Sequence, residues 1–113
     1  AGDQVLVSLV ERITLNIRDA DRLFRFGGEE FLLLLNNTDE HGLLSAAEHL
    51  QADIAEHLKS PGGPVTVSMG GAVLRASETW ESWLQRADQQ LYHAKHAGRN
   101  CIRIDHSETL ELA

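Results

Sequence analysis

The sequence predicts a mixed α/β fold, with helices and short strands in the order α-β-β-α-β-α-β. Three observations carry that prediction. Apolar residues recur at helical spacing in three separate stretches, a Gly-Gly-Glu-Glu tetrapeptide divides two oily runs, and a further run alternates aliphatic with hydroxyl residues.

The first helical stretch carries Val5, Leu6, Leu9, Val10, Ile13 and Ile17, which predicts an amphipathic helix over about 4–17 with Asp3 at its N-cap. Leu23 to Phe26 and Phe31 to Leu35 then read as a hairpin around Gly27-Gly28-Glu29-Glu30. Their apolar content on both faces points to the middle of a sheet. After the loop 36–40, Leu43, Ala47, Leu50, Ile54 and Leu58 mark the buried face of a second helix, which ends before the internal loop Ser60-Pro61-Gly62-Gly63-Pro64. Val65, Val67 and Met69 alternate with Thr66 and Ser68 as a strand, interrupted at Gly70-Gly71 and resumed through Val73. Trp80, Trp83, Leu84, Ala87, Leu91 and Ala94 predict a third helix stopped near Gly98, with a last strand from Cys101 to Ile104. Trp80, Trp83 and Tyr92 read as packing residues.

Composition limits the possible partners. A chain of 113 residues with 42% hydrophobic content suits a single folded domain, residues 1–113. No apolar run approaches the length of a membrane span, so no membrane contact is expected of this domain. The single cysteine, Cys101, fits a reducing cytoplasm. A net charge of −7 argues against nucleic acid, whose phosphates call for a basic surface, but leaves room for a phosphorylated ligand neutralised by a metal ion and local cations. The start at Ala1-Gly2-Asp3, without a methionine, suggests a piece of a longer protein.

Glu29 and Glu30 are the first chemical candidates. Adjacent acids on a turn diverge, so one can ligate Mg²⁺, which favours hard oxygens and often uses only one or two carboxylates, while the other contacts or deprotonates a hydroxyl. A polar turn that merely faces water accounts for them as well. Lys95 and Arg99 lie four apart at the end of the third helix, with Gly98 and Asn100 framing a turn that can bring both cations to a phosphate. The helix macrodipole alone also favours cations there. Arg18-Asp19-Ala20-Asp21 reads as a charged turn after the first helix. His93 and His96 have a metal-site spacing but no evident third ligand, and His41, His49 and His57 read as surface residues.

RFGGEEF, VTVSMGGA and ADQQLYHAKHAGRN, in this order with helices between them, resemble the GGDEF family of diguanylate cyclases, of whose signature GGEEF is an accepted form. The resemblance covers essentially the whole chain. It implies a nucleotidyl-cyclase, palm-like fold with a central, mostly antiparallel sheet flanked by helices, here the C-terminal portion of the domain without its first helix and strand. It also implies the condensation of two GTP into cyclic di-GMP and two pyrophosphates across a homodimer, with Mg²⁺ or Mn²⁺ as cofactor. By the same resemblance Glu30 is the metal ligand and Glu29 the acid beside the ribose hydroxyl. Gly27 and Gly28 let the backbone lie close to the nucleotide, Lys95 and Arg99 hold the terminal phosphates, and Asp3 hydrogen-bonds the guanine edge. Arg18 and Asp21 match an RxxD inhibitory site for the product.

Two departures from the family pattern set further expectations. The helix after the hairpin has no arginine between Gly42 and Leu58 to reinforce the product site, only His49. The strand bearing a metal-binding Asp, and the Asn that follows it, would precede Ala1. The expectation is therefore a cyclase parent, with a sensor domain upstream, where a membrane anchor can also lie, and an isolated chain that is inactive. The alternatives are a catalytically silent module that senses cyclic di-GMP through Arg18 and Asp21, and a regulatory dimerisation module.

Overall fold

The structure, a computed structural model, describes residues 2–25, 30–60 and 62–105, with residues 2–4, 60 and 64 described by backbone alone. The chain forms two compact units, Ala1–Asn37 with His49–Thr66, and Thr38–Glu48 with Val67–Ala113. The observed order of helices and paired strands includes every element the sequence predicts and adds one small hairpin.

In the first unit, helix α1 runs over Gly2–Leu15. It starts earlier than the spacing suggests, so Asp3 lies within the first turn rather than at the N-cap. It also stops short of Ile17, because the Asn16 backbone N–H donates to the Ile13 carbonyl at 2.9 Å and its side-chain amide to the Arg12 carbonyl at 2.7 Å. Those bonds satisfy carbonyls that a continued helix would have used. Leu9 and Ile13 are buried on α1, and Leu50, Ile54 and Leu58 are the other buried apolar residues among those described in this unit. Arg12 clamps Asp53 with two bonds, from Nε at 2.9 Å and from Nη2 at 2.7 Å.

Strands β1 (Arg22–Arg25) and β2 (Phe31–Leu34) pair antiparallel in the register Arg22↔Leu34 to Arg25↔Phe31. A place in mid-sheet was expected for them. Among the described residues they pair only with each other, and Phe24 is 48% exposed, so the oily residues line a two-stranded ribbon instead of an enclosed strand pair. Helix α2 covers Glu40–His57, as the apolar spacing indicates. The glycine-proline loop after it is a miniature hairpin, β3 (Lys59–Ser60) against β4 (Gly63–Pro64), in which Gly63, at φ 122°, pairs with Ser60.

The second unit is built on a parallel crossover. Strand β5 (Met69–Gly71) leads through helix α3 (Trp80–His96) to strand β6 (Ile102–Ile104), and the strands pair parallel in the register Met69↔Ile102 to Gly71↔Ile104. Parallel neighbours require such a crossing connection. The strand expected over Val65–Val73 shortens to three residues, because its only partner among the described residues, β6, is itself three residues long. Gly70 lies directly under α3: a Cβ there would sit 2.1 Å from the Leu91 nitrogen and 2.6 Å from the Ala87 carbonyl oxygen. The glycine sets how closely strand and helix approach.

Helix α3 is capped at its start by Thr79, whose hydroxyl accepts from the Ser82 N–H at 3.2 Å. Ala94 is fully buried, and the Trp83 indole N–H donates to the Ala72 carbonyl at 2.7 Å. Trp80 and Tyr92, however, are 64% and 59% exposed, contrary to the packing role their spacing suggests. A three-residue strand is roughly 10 Å long, whereas α3 is roughly 25 Å long, so the first turn overhangs. Tyr92 stands two positions from Ala94, roughly 200° around the helix and away from the buried side.

Candidate functional site

Of the twin acids, Glu30 is exposed immediately before β2, where the hairpin ladder begins. Gly27, Gly28 and Glu29 lie outside the described residues, as does the Asp3 side chain. The pairing of Arg25 with Phe31 is the last described rung of the ladder on the side of the tetrapeptide.

The Arg18–Asp21 turn separates its two candidates sharply. The Arg18 side chain is 63% exposed, while that of Asp21 is 2% exposed. One Asp21 oxygen accepts the Arg18 backbone N–H and the other the Asn36 backbone N–H, each at 2.9 Å. The Asn36 and Arg18 amides hold the Asp21 carboxyl below its usual range despite its burial. The Arg18 guanidinium also reaches the Asn36 carbonyl, so this aspartate fastens the turn after α1 to the end of β2. A charged surface turn is what the sequence suggests; a buried carboxylate that organises backbone is what stands there.

Lys95 and Arg99 flank the end of α3 in the second unit. Ala97 is the C-cap, its N–H donating to the His93 carbonyl at 2.8 Å, and Gly98 follows at φ 113°. The Arg99 N–H then returns to the Ala94 carbonyl at 3.2 Å, a Schellman ending of the kind a glycine at this position favours. The left-handed backbone continues through Arg99 at φ 61° and Asn100 at φ 47°. For arginine that conformation costs roughly 1–2 kcal/mol, so neighbouring bonds have to hold it. The Asn100 N–H donates to Ser68 Oγ at 3.1 Å, the Met69 N–H to the Cys101 carbonyl at 3.0 Å, and the Cys101 thiol to the Ala94 carbonyl at 3.0 Å. Lys95 is half-buried and Arg99 exposed at this turn. On the exposed side of α3, Tyr92 and His96 stack with ring centroids 4.0 Å apart, and His93 meets Tyr92 edge-on.

One cluster escapes sequence reading altogether. Arg86 donates to both oxygens of Glu78, to Asp105 Oδ2 at 2.9 Å and to the Val73 carbonyl at 2.5 Å. Glu78 is held down to about 2 by the Arg86 guanidinium, with the Arg75 N–H and the Ser82 hydroxyl assisting, and Arg86 is pushed up in return. These residues are 8 and 19 positions apart in sequence, beyond any local motif. Beside the cluster is a cleft of about 500 Å³ lined by Asp39, Glu40, His41, Leu74, Arg75 and Arg86.

For a divalent cation the described residues supply only part of a site. No group of three metal-capable side chains occurs among them, and Glu30 contributes one exposed carboxylate. That suits an ion such as Mg²⁺, which completes its shell with water and substrate phosphates. The sequence candidates are divided between the units: Asp3, Arg18, Asp21 and the hairpin tip are in the first, Lys95 and Arg99 in the second.

Comparison with known proteins is consistent across sequence and fold. Diguanylate cyclase DgcP of Pseudomonas aeruginosa is 38% identical over 107 residues, which span 92% of this chain and 16% of that protein. Diguanylate cyclase DgcM of Escherichia coli is 39% identical over 101 residues, 89% of this chain and 25% of that protein. The chain thus spans only a minor part of these curated relatives. Among solved structures, the active GGEEF domain of a diguanylate cyclase from Vibrio cholerae superposes with a TM-score of 0.82 at 31% identity, covering 91% of this chain and 67% of that one. The GGDEF domain of DgcB from Caulobacter crescentus, in complex with c-di-GMP, gives 0.84 at 28% identity, covering 91% and 64%. The family profile described as "Diguanylate cyclase, GGDEF domain" matches residues 1–101, and the chain belongs to that family.

Proposed function

We propose that this chain is the C-terminal portion of a diguanylate cyclase domain, in which two GTP molecules condense to cyclic di-GMP with release of two pyrophosphates. The observation that carries the reading is an intact Gly27-Gly28-Glu29-Glu30-Phe31 signature in a chain similar, over nine-tenths of its length, to proteins named diguanylate cyclases.

In this reading Lys95 and Arg99 bind the terminal phosphates, the fixed turn after α3 aiming the arginine. Glu29 orients the ribose 3′-hydroxyl and accepts its proton as that oxygen attacks the α-phosphate of the second GTP. Gly27 and Gly28 leave room for the nucleotide to lie against the backbone, and Asp3 accepts from the guanine edge. Glu30 would hold Mg²⁺ or Mn²⁺, which neutralises phosphate charge when bound. The reaction joins two nucleotides, so two copies must face each other, and a homodimer of the full protein in the cytoplasm, under an upstream sensor domain, is the working form.

The test is synthesis. Full-length protein supplied with GTP and Mg²⁺ forms cyclic di-GMP, Glu30→Ala lowers the rate at least about a hundredfold, and the isolated 113-residue chain forms none. Undiminished synthesis by Glu30→Ala would remove its assigned role.

A second reading, feedback or sensing by cyclic di-GMP, is favoured by the exposed Arg18 guanidinium on a turn that buried Asp21 holds in shape. Titration calorimetry with cyclic di-GMP separates it from a purely dimerising module, because Arg18→Ala abolishes the heat only if the site exists.

A further inference from the structure

We propose that Ser68 is a positioning residue for Arg99, acting through the backbone to aim its guanidinium at the substrate triphosphate. The inference rests on the phosphate-binding reading of Arg99 given above and extends it to a residue that touches no phosphate.

Both peptide planes that flank the Arg99 Cα are fixed by hydrogen bonds. The plane before it is held by the Arg99 N–H to the Ala94 carbonyl at 3.2 Å, and the plane after it by the Asn100 N–H to Ser68 Oγ at 3.1 Å. Two fixed planes determine φ and ψ, and with them the direction of the Cα–Cβ bond. The first bond comes with the helix ending. The second lies beyond the Schellman turn, where the Ser68 hydroxyl accepts from the Asn100 amide.

Ser68 is itself well anchored. It directly precedes β5, and the Met69 N–H donates to the Cys101 carbonyl at 3.0 Å, so the two bonds bracket the Asn100–Cys101 peptide from one side. The conformation being held is unfavourable for arginine, at φ 61°. Removing the hydroxyl therefore releases a backbone that prefers the right-handed or extended regions. A change of φ or ψ at Arg99 swings a long side chain, and its tip moves by several ångströms relative to the turn.

Calorimetry on the full-length protein with Mg²⁺ tests this, using α,β-methylene-GTP, whose bridging carbon prevents turnover, and GMP as the ligand without terminal phosphates. Ser68→Ala weakens the triphosphate analogue by about twofold to tenfold, the worth of one hydrogen bond. It leaves GMP affinity unchanged, and Ser68→Thr, which keeps the hydroxyl, restores the analogue. Arg99→Ala is the control for the underlying reading: if it leaves analogue affinity unchanged, the phosphate role of Arg99 fails. If Arg99→Ala weakens the analogue while Ser68→Ala binds it like wild type, the positioning role alone is overturned. Equal weakening of GMP and analogue by Ser68→Ala also overturns it, since that marks a general loss of structure. Should Ser68→Ala not fold, Ser68→Cys, a weaker acceptor of similar shape, serves instead, and wild-type affinity in that variant overturns the proposal.

Discussion

Arg86 grips Glu78 by both carboxylate oxygens, Nε to Oε2 at 2.8 Å and Nη2 to Oε1 at 2.7 Å, and so ties the loop before α3 to the helix itself. Its third nitrogen reaches Asp105 just past β6. Planar bidentate geometry is specific to arginine, so charge alone does not replace it. Arg86→Ala strands two acids in a poorly hydrated place and lowers the melting temperature by at least about 5 °C, and Arg86→Lys recovers only part of that. A melting curve unchanged in Arg86→Ala would show that the cluster contributes nothing to stability.

Acid should destabilise the protein within a definable window. Asp53, paired with Arg12, is lowered from 3.8 to about 2, and Glu78 from 4.5 to about 2. Asp21 is lowered as well, by the Asn36 and Arg18 amides. A carboxyl whose folded pKa is depressed binds protons more tightly unfolded, so its stabilisation is complete above the unfolded pKa and is lost as pH falls through the folded one. Urea midpoints are expected to be flat above pH 5 or so and to fall steadily between about 4.5 and 2. Asp53→Asn removes one contributor, giving a lower plateau and a shallower fall; a wild-type slope in that variant would show that its pairing does not differ between folded and unfolded chains.

Gly70 and Gly98 should respond to alanine for different reasons and by different amounts. At Gly70 the new Cβ meets the Leu91 nitrogen at 2.1 Å, a backbone atom that moves only if the whole helix retreats. At Gly98 nothing lies within 4 Å, and only the φ of 113° opposes the change. Urea denaturation is expected to give about 3 kcal/mol or more for Gly70→Ala and about 1 kcal/mol for Gly98→Ala.

Arg18 and Asp21 form one proposed site but should fail differently. Arg18→Ala loses cyclic di-GMP binding with little change in melting temperature, since the side chain is mostly exposed. Asp21→Ala leaves two backbone N–H groups without their acceptor and costs roughly 2 kcal/mol, whatever it does to binding. If both variants melt like wild type, Asp21 does not organise the turn.

The legible part of this molecule was the part carried by short-range pattern. The three helices follow from apolar spacing, the β1–β2 hairpin from its flanking oily runs, and the Schellman ending of α3 from Gly98. What stayed hidden depends on residues distant in sequence. Trp80 lies at apolar spacing, yet the strands beneath α3 are too short to reach it, and spacing does not report the size of the facing surface, while Tyr92 is exposed because it points away from the side that buries Ala94. Val65 to Ser68 alternate like a strand but lie between β4 and β5, outside both. Asp21 looked like a surface acid because its two amide donors lie 3 residues upstream and 15 downstream. The Arg86 cluster had no signature for the same reason.

The parallel pairing of β5 with β6 also sets an order of events during synthesis. Met69 meets Ile102, 33 positions later in the chain, and the ladder cannot begin until α3 has been made and has turned the chain back. The β1–β2 ribbon closes over a few residues and can zip in microseconds, whereas the crossover must first close a long loop. On a ribosome the β1–β2 ribbon can thus pair early, while the turn carrying Arg99 becomes rigid only after Cys101 has emerged and its carbonyl has met the Met69 N–H.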